Sequence, residues 1–190
     1  MTQFEFIFAL YALLLGLSLI ELLSGLGRAL ELKFASEADK RTFAIGWLTP
    51  ALAVFVMLDL LSFWIFAWRV RELLEVTPLG LMVVMAFASA YFLAARLVFP
   101  GDPARFSDLD NHYFRVRRVI MVILIGLVAV QWIYLLTIPE IRSGLLDLWS
   151  IALTFVLVAL MAGTMVTSRP RLSLTLLVLL ILRYVVIYAI

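Results

Sequence analysis

Four ionisable side chains stand well inside otherwise apolar stretches of this chain: Glu21, Asp59, Arg96 and Arg183. A charge near the middle of a hydrocarbon layer costs at least a few kcal/mol unless it is paired or wetted. Counting 1.5 Å per residue from the middle of each stretch puts Asp59 and Arg183 within roughly 6 Å of the bilayer centre, slightly toward the outside. The same count puts Glu21 and Arg96 about 9–12 Å toward the cytoplasm. Opposite charges at matching depth predict two intramembrane ion pairs, Asp59–Arg183 and Glu21–Arg96, with Arg28 competing for Glu21. Such pairs can form a polar pathway or binding site between helices, or they can simply fix which helices are neighbours. Both readings stand at this point.

A second concentration of polar groups is Asn111-His112-Tyr113-Phe114-Arg115, followed by Arg117 and Arg118. With Arg28 it makes a polar cluster expected at the cytoplasmic face. One reading is an interfacial anchor, with arginines at the headgroups and the aromatic rings at the boundary. The other is a headgroup-phosphate or partner-binding patch with His112 as a pH-sensitive member.

The elements that must hold these residues are six long apolar runs, at about Phe4–Gly25, Ala44–Phe66, Pro78–Phe99, Val119–Thr137, Leu145–Val166 and Leu172–Ile190. Each approaches or exceeds the roughly 20 residues that a helix needs to cross a hydrocarbon core of about 30 Å. The chain is 65% hydrophobic, with a mean hydropathy of +1.13. Continuous rather than alternating apolarity argues against a β-barrel. The fold class is therefore all-α, a polytopic transmembrane helical bundle of six helices forming one domain over residues 1–190, with the lipid bilayer as its first partner. The connections are too short for an extramembrane domain.

Several chemistries lack their residues. There is no cysteine and only one histidine, so thiolate chemistry and a His-rich metal cage are excluded. No cofactor or metal is expected. The only lysines are Lys33 and Lys40, both outside the runs, which leaves none for retinal. There is no potassium-channel filter sequence and no helix with arginine at every third position. Intramembrane hydrolysis wants an acid dyad, a Ser–His arrangement or a motif such as H-E-x-x-H; none can be assembled, so an enzyme is not expected, nor nucleic acid as a partner.

Charge gives the topology. The first, third and fifth connections carry Arg28, Lys33, Lys40, Arg41, Arg105, Arg115, Arg117, Arg118, Arg169 and Arg171, against Arg69, Arg71 and Arg142 in the second and fourth. The positive-inside rule makes the first three cytoplasmic and both termini external. No base precedes the first run, so the n-region of a signal peptide is missing. Arginine outnumbers lysine strongly, which accords with a GC-rich bacterial source and an inner-membrane location.

Local punctuation adds detail. Thr77-Pro78 reads as an N-cap followed by proline at the first helical position. Ser36-Glu37-Ala38-Asp39 and Ser107-Asp108-Leu109-Asp110 each put acids behind a capping serine, predicting that the second and fourth helices start in the cytosol. Asp108, His112 and Arg115 then share a face. Pro50 is expected to kink the second helix. On the first helix Tyr11, Leu14, Ser18, Glu21, Gly25 and Arg28 form one stripe, a close-packing face or the lining of a cavity or subunit interface. Ser62, Ser150 and Thr154 are hydroxyls that commonly bond their own helix.

The segment Gly16-Leu17-Ser18-Leu19-Ile20-Glu21-Leu22-Leu23-Ser24-Gly25-Leu26-Gly27-Arg28, with His112-Tyr113-Phe114-Arg115-Val116-Arg117-Arg118, resembles a group of uncharacterised bacterial multi-pass membrane proteins. In that group a G-L-x-L-x-x-L-L-x-G-L-x-R helix precedes a cytoplasmic H-Y-x-x-x-R segment. The resemblance implies no activity but directs attention to Glu21, Arg28 and His112. Two functions remain in view. One is a channel or transporter for an ion or small solute using Asp59, Arg183 and Glu21. The alternative is a non-catalytic subunit or scaffold that forms a homo-oligomer or holds a partner membrane protein.

Overall fold

The structure, a computed structural model, describes residues 3–38, 43–69 and 77–189. Lys40 and Arg41 of the first connection, Arg71 of the second, and Asp39 of the expected capping box lie outside them. Among the described residues seven α-helices follow one another: α1 (Gln3–Ala38), α2 (Leu48–Arg69), α3 (Pro78–Val98), α4 (Leu109–Leu135), α5 (Pro139–Leu145), α6 (Leu148–Val166) and α7 (Pro170–Ala189), with a short 3-10 turn at Pro103–Arg105. All but α5 are long and apolar enough to cross a bilayer. Only 17–33% of each apolar window is buried inside the bundle, so most of this surface faces outward and needs hydrocarbon. The chain is an integral membrane protein built as a six-span helical bundle.

Lipid tails are as apolar as leucine, so close packing and polar bonds, rather than the removal of water, decide which helices adjoin. α1 packs chiefly on α3, and α2 touches α1, α3, α4 and α7, which makes α2 the central helix. The α1 seam is Tyr11, Leu15, Ser18, Leu22, Gly25 and Ala29, a three-four alternation repeating every seven residues, as in helices that wind about each other. Ala88, Ala94 and Ala95 on α3 are fully or almost fully buried and give the close approach. A Cβ on Gly25 would stand 2.6 Å from the side chain of Phe99, so this position needs glycine. Part of the expected stripe (Tyr11, Ser18, Gly25) is thus an internal packing face, while Leu14, Glu21 and Arg28 flank it.

Several expected boundaries are corrected. α1 does not stop near Gly25 but continues to Ala38, because Ala29, Leu30, Glu31, Leu32 and Lys33 are strong helix formers. At 36 residues it is about 54 Å long, more than a bilayer core requires. Ser36 consequently does not cap α2; its hydroxyl donates to Lys33 O near the end of α1 at 2.8 Å. α2 starts at Leu48, which puts Pro50 in the first turn. There its missing N–H breaks no helical bond, and the expected kink has no cause. The fourth helix does begin ahead of its apolar run, but the capping side chain is Asp108, accepting from Asp110 N at 2.8 Å, rather than Ser107. Leu145, assigned to the fifth span, ends the separate helix α5, and Asp147 caps α6 by accepting from Trp149 N at 3.1 Å. Thr77 caps α3 as expected, accepting from Gly80 N at 3.0 Å with Pro78 at the first helical position.

Candidate functional site

The central helix carries its one mid-span acid, Asp59, into the core, where it is 4% exposed. The α2 positions Leu52, Phe55, Val56, Asp59 and Leu60 are all buried and recur at helical spacing, so Asp59 occupies a place in the core stripe that an apolar residue would otherwise fill. Its carboxylate is held by two phenols. Tyr91 of α3 donates to Oδ2 at 2.7 Å, and Tyr184 of α7 donates to Oδ1. Hydrogen bonds to a charged acceptor are the strong kind, and two of them offset much of the cost of burying this group. Tyr11 of α1 packs edge-on against Phe63, with ring centres 5.4 Å apart, and its hydroxyl is buried without a partner among the described residues.

Arg183, expected to pair directly with Asp59, does not. Its Nε donates to Leu153 O of α6 at 3.2 Å, and its guanidinium lies 5.1 Å from the centre of the Tyr184 ring. The phenol of Tyr184 occupies the place beside the carboxylate that the pairing reserved for arginine. The two charges instead line one cavity of about 130 Å³, together with Ser62, Gln131, Trp132 and Thr154. α2, α3, α4, α6 and α7 all contribute to its wall. A polar space of this size holds several waters. Beside it Tyr188 donates to Ser62 Oγ at 2.7 Å, and Thr154 Oγ1 donates within its own helix to Ser150 O at 2.9 Å. Ser150 departs from the expectation, reaching Gly144 O of α5 at 3.0 Å.

The second expected pair is present: Arg96 Nη1 donates to Glu21 Oε2 at 3.1 Å. It is partly exposed, with 43% of the Arg96 side chain and 27% of the Glu21 side chain accessible, and lies on the α1–α3 contact away from the cavity. Arg28 does not compete for Glu21, and its Nε and Nη2 are buried without a partner among the described residues.

His112, Arg117 and Arg118 lie in the first turns of α4 and fasten it to other helices. His112 Nε2 is 3.0 Å from Leu97 O at the end of α3, and its ring meets Phe106 edge-on. Arg117, 4% exposed, donates to Thr167 O and stands 4.7 Å from the centre of the Phe114 ring. Arg118 Nε donates to Met165 O at 3.2 Å. Arg115 is exposed and lies over Phe106 at 5.5 Å. Carbonyls left over at the ends of α3 and α6 are thereby satisfied by α4, so the segment is first of all a clamp at the arginine-rich end of the bundle.

The reading of charges alone passed over Tyr91, Tyr184 and Gln131. The available signal was polarity inside a span: a phenol well away from both membrane boundaries needs a buried partner, and Gln131 interrupts an apolar run just as Asp59 does. Among the described residues no three His, Asp or Glu side chains converge as metal ligands would. Neither a protein-family model nor a curated protein nor a solved structure matches this chain.

Proposed function

We propose that this membrane protein is a channel or transporter that passes a small solute or ion through the cavity between Asp59 and Arg183. The observation that carries the reading is a polar cavity walled by five spans, in a bundle whose outward surface is mainly large apolar side chains. A pair serving only to fix helix neighbours would close on itself; here the two charges stand apart with space between them. Ionisable groups facing an internal cavity of a bundle are the usual mark of a solute path. The first, third and fifth connections are read as cytoplasmic and the membrane as the bacterial inner membrane, from the placement of arginine.

The test is flux through purified protein in liposomes. Asp59→Asn keeps the shape of the side chain and removes its charge, and is expected to change flux by about tenfold or more while the helical circular dichroism is unchanged. Flux equal to that of the parent protein would remove Asp59 from the path. The second reading, a non-catalytic subunit, is favoured by α6, which buries only 17% of its apolar window. A partner protein co-purifying at fixed stoichiometry, with no flux from the isolated chain, would establish it.

A further inference from the structure

Resting on that reading, we propose that the solute bound between Asp59 and Arg183 is a small monovalent anion such as chloride, nitrate, formate or bicarbonate. The two charges of the cavity are unequally satisfied. Asp59 receives a hydroxyl donor on each oxygen, from Tyr91 and Tyr184, and is almost fully enclosed. Arg183 has one neutral acceptor, the Leu153 carbonyl at Nε, and the face of one ring. Its terminal nitrogens Nη1 and Nη2 donate to no other described residue. The unsatisfied hydrogen-bonding capacity at the cavity therefore lies on the cation.

The neighbouring groups agree in kind. Trp132 can only donate through its indole N–H, and Gln131 brings two amide donors beside one acceptor. Both line the cavity, and neither side chain hydrogen-bonds to another described residue. A guanidinium, an indole N–H and an amide around one small space make a set of donors for an anion. Arg183 is the single cation among the described lining residues, so a second negative charge on the solute would meet no second base. The phenols complete the arrangement by spending their O–H donors on Asp59, which leaves the donors of Arg183, Gln131 and Trp132 to the solute.

The experiment uses the full chain in liposomes, with efflux of chloride, nitrate and formate measured beside that of potassium and sodium. Anion efflux without cation efflux is expected, falling about tenfold or more in Arg183→Gln. Gln131→Leu and Trp132→Phe each delete donors while keeping Arg183, and each is expected to reduce anion efflux by about threefold to tenfold. If Arg183→Gln fails to fold, those two variants decide: unchanged anion efflux in both overturns the assignment. Cation efflux without anion efflux also overturns it and leaves the conduit standing. No efflux of any solute overturns the conduit reading, and this one with it.

Discussion

The carboxylate of Asp110, in the first turn of α4, caps a different helix: its Oδ1 accepts a hydrogen bond from the amide of Leu48, the first residue of α2, at 3.1 Å. Thr49 completes the joint by donating its hydroxyl to Leu109 O at 2.9 Å, and Ala44 N donates to Ser107 O at 2.9 Å. Gly46 turns the chain into this joint with φ +66°, and a Cβ there would fall 2.2–2.5 Å from the Asp110 carboxylate atoms. Loss of a helix cap costs about 1 kcal/mol, so Asp110→Ala is expected to destabilise the detergent-solubilised protein by about that much in thermal unfolding. Asp110→Asn, which can still accept the bond, retains most of the stability. Gly46→Ala is expected to be worse than Asp110→Ala, since it adds a steric clash to an unfavourable backbone angle. Equal stability of all three with the parent would show that α2 starts without help from α4.

The three tyrosines near Asp59 separate into two classes. Tyr91 and Tyr184 each supply one of the two hydroxyl donors to the carboxylate, whereas the hydroxyl of Tyr11 has no partner. Replacing either donor by phenylalanine is expected to cost about 1–3 kcal/mol, the range for a hydrogen bond to a buried acceptor. Tyr11→Phe deletes only an unsatisfied group and should leave stability unchanged or raised. Comparable losses from all three substitutions, read from thermal unfolding at constant detergent, would contradict the partition.

How far the sequence disclosed this arrangement differs between the path of the chain and the contacts within it. The six spans and the Thr77 cap follow from apolar length and local residue chemistry, and the Glu21–Arg96 pair follows from depth alone, because both groups lie where two adjacent helices bring them together. Depth failed for Asp59 and Arg183. It gives position along the membrane normal, not rotation about the helix axis, and the rotation of α7 puts Tyr184 rather than Arg183 against the acid. The clamp made by His112, Arg117 and Arg118 was hidden for a related reason. Its acceptors are backbone carbonyls of Leu97, Thr167 and Met165, which carry no signature in residue type. The start of α2 was misplaced because its cap comes from 62 positions away.

Glycine contributes differently at two positions of α1 only two residues apart. A Cβ on Gly25 would enter the ring of Phe99, whereas one on Gly27 would meet nothing within 4 Å. Gly25→Ala is expected to cost about 1–3 kcal/mol through forced separation of α1 and α3, and Gly27→Ala to be neutral or slightly stabilising because alanine favours the helix. Phe99→Ala should recover part of the loss in the Gly25→Ala background. If the double variant is no more stable than the sum of the single effects, the two positions are not coupled.

The absence of cysteine makes the sidedness directly measurable, since a single introduced thiol is the only one in the molecule. Ser107 and Ser168 lie on the third and fifth connections and are exposed, and Glu140 lies in α5 at the opposite end of the bundle and is exposed. A side chain replaced at any of the three sacrifices no hydrogen bond of its own. With arginine-rich connections inside, Glu140→Cys in intact cells is expected to react with a membrane-impermeant maleimide, whereas Ser107→Cys and Ser168→Cys react only after the membrane is opened. The reverse pattern would put the clamp of α4 on the outer surface, and the positive-inside assignment would fall. Labelling of all three from outside would mean that both orientations are present in the membrane. In that case the cavity between Asp59 and Arg183 would face each side equally, and any flux through it would lose its direction.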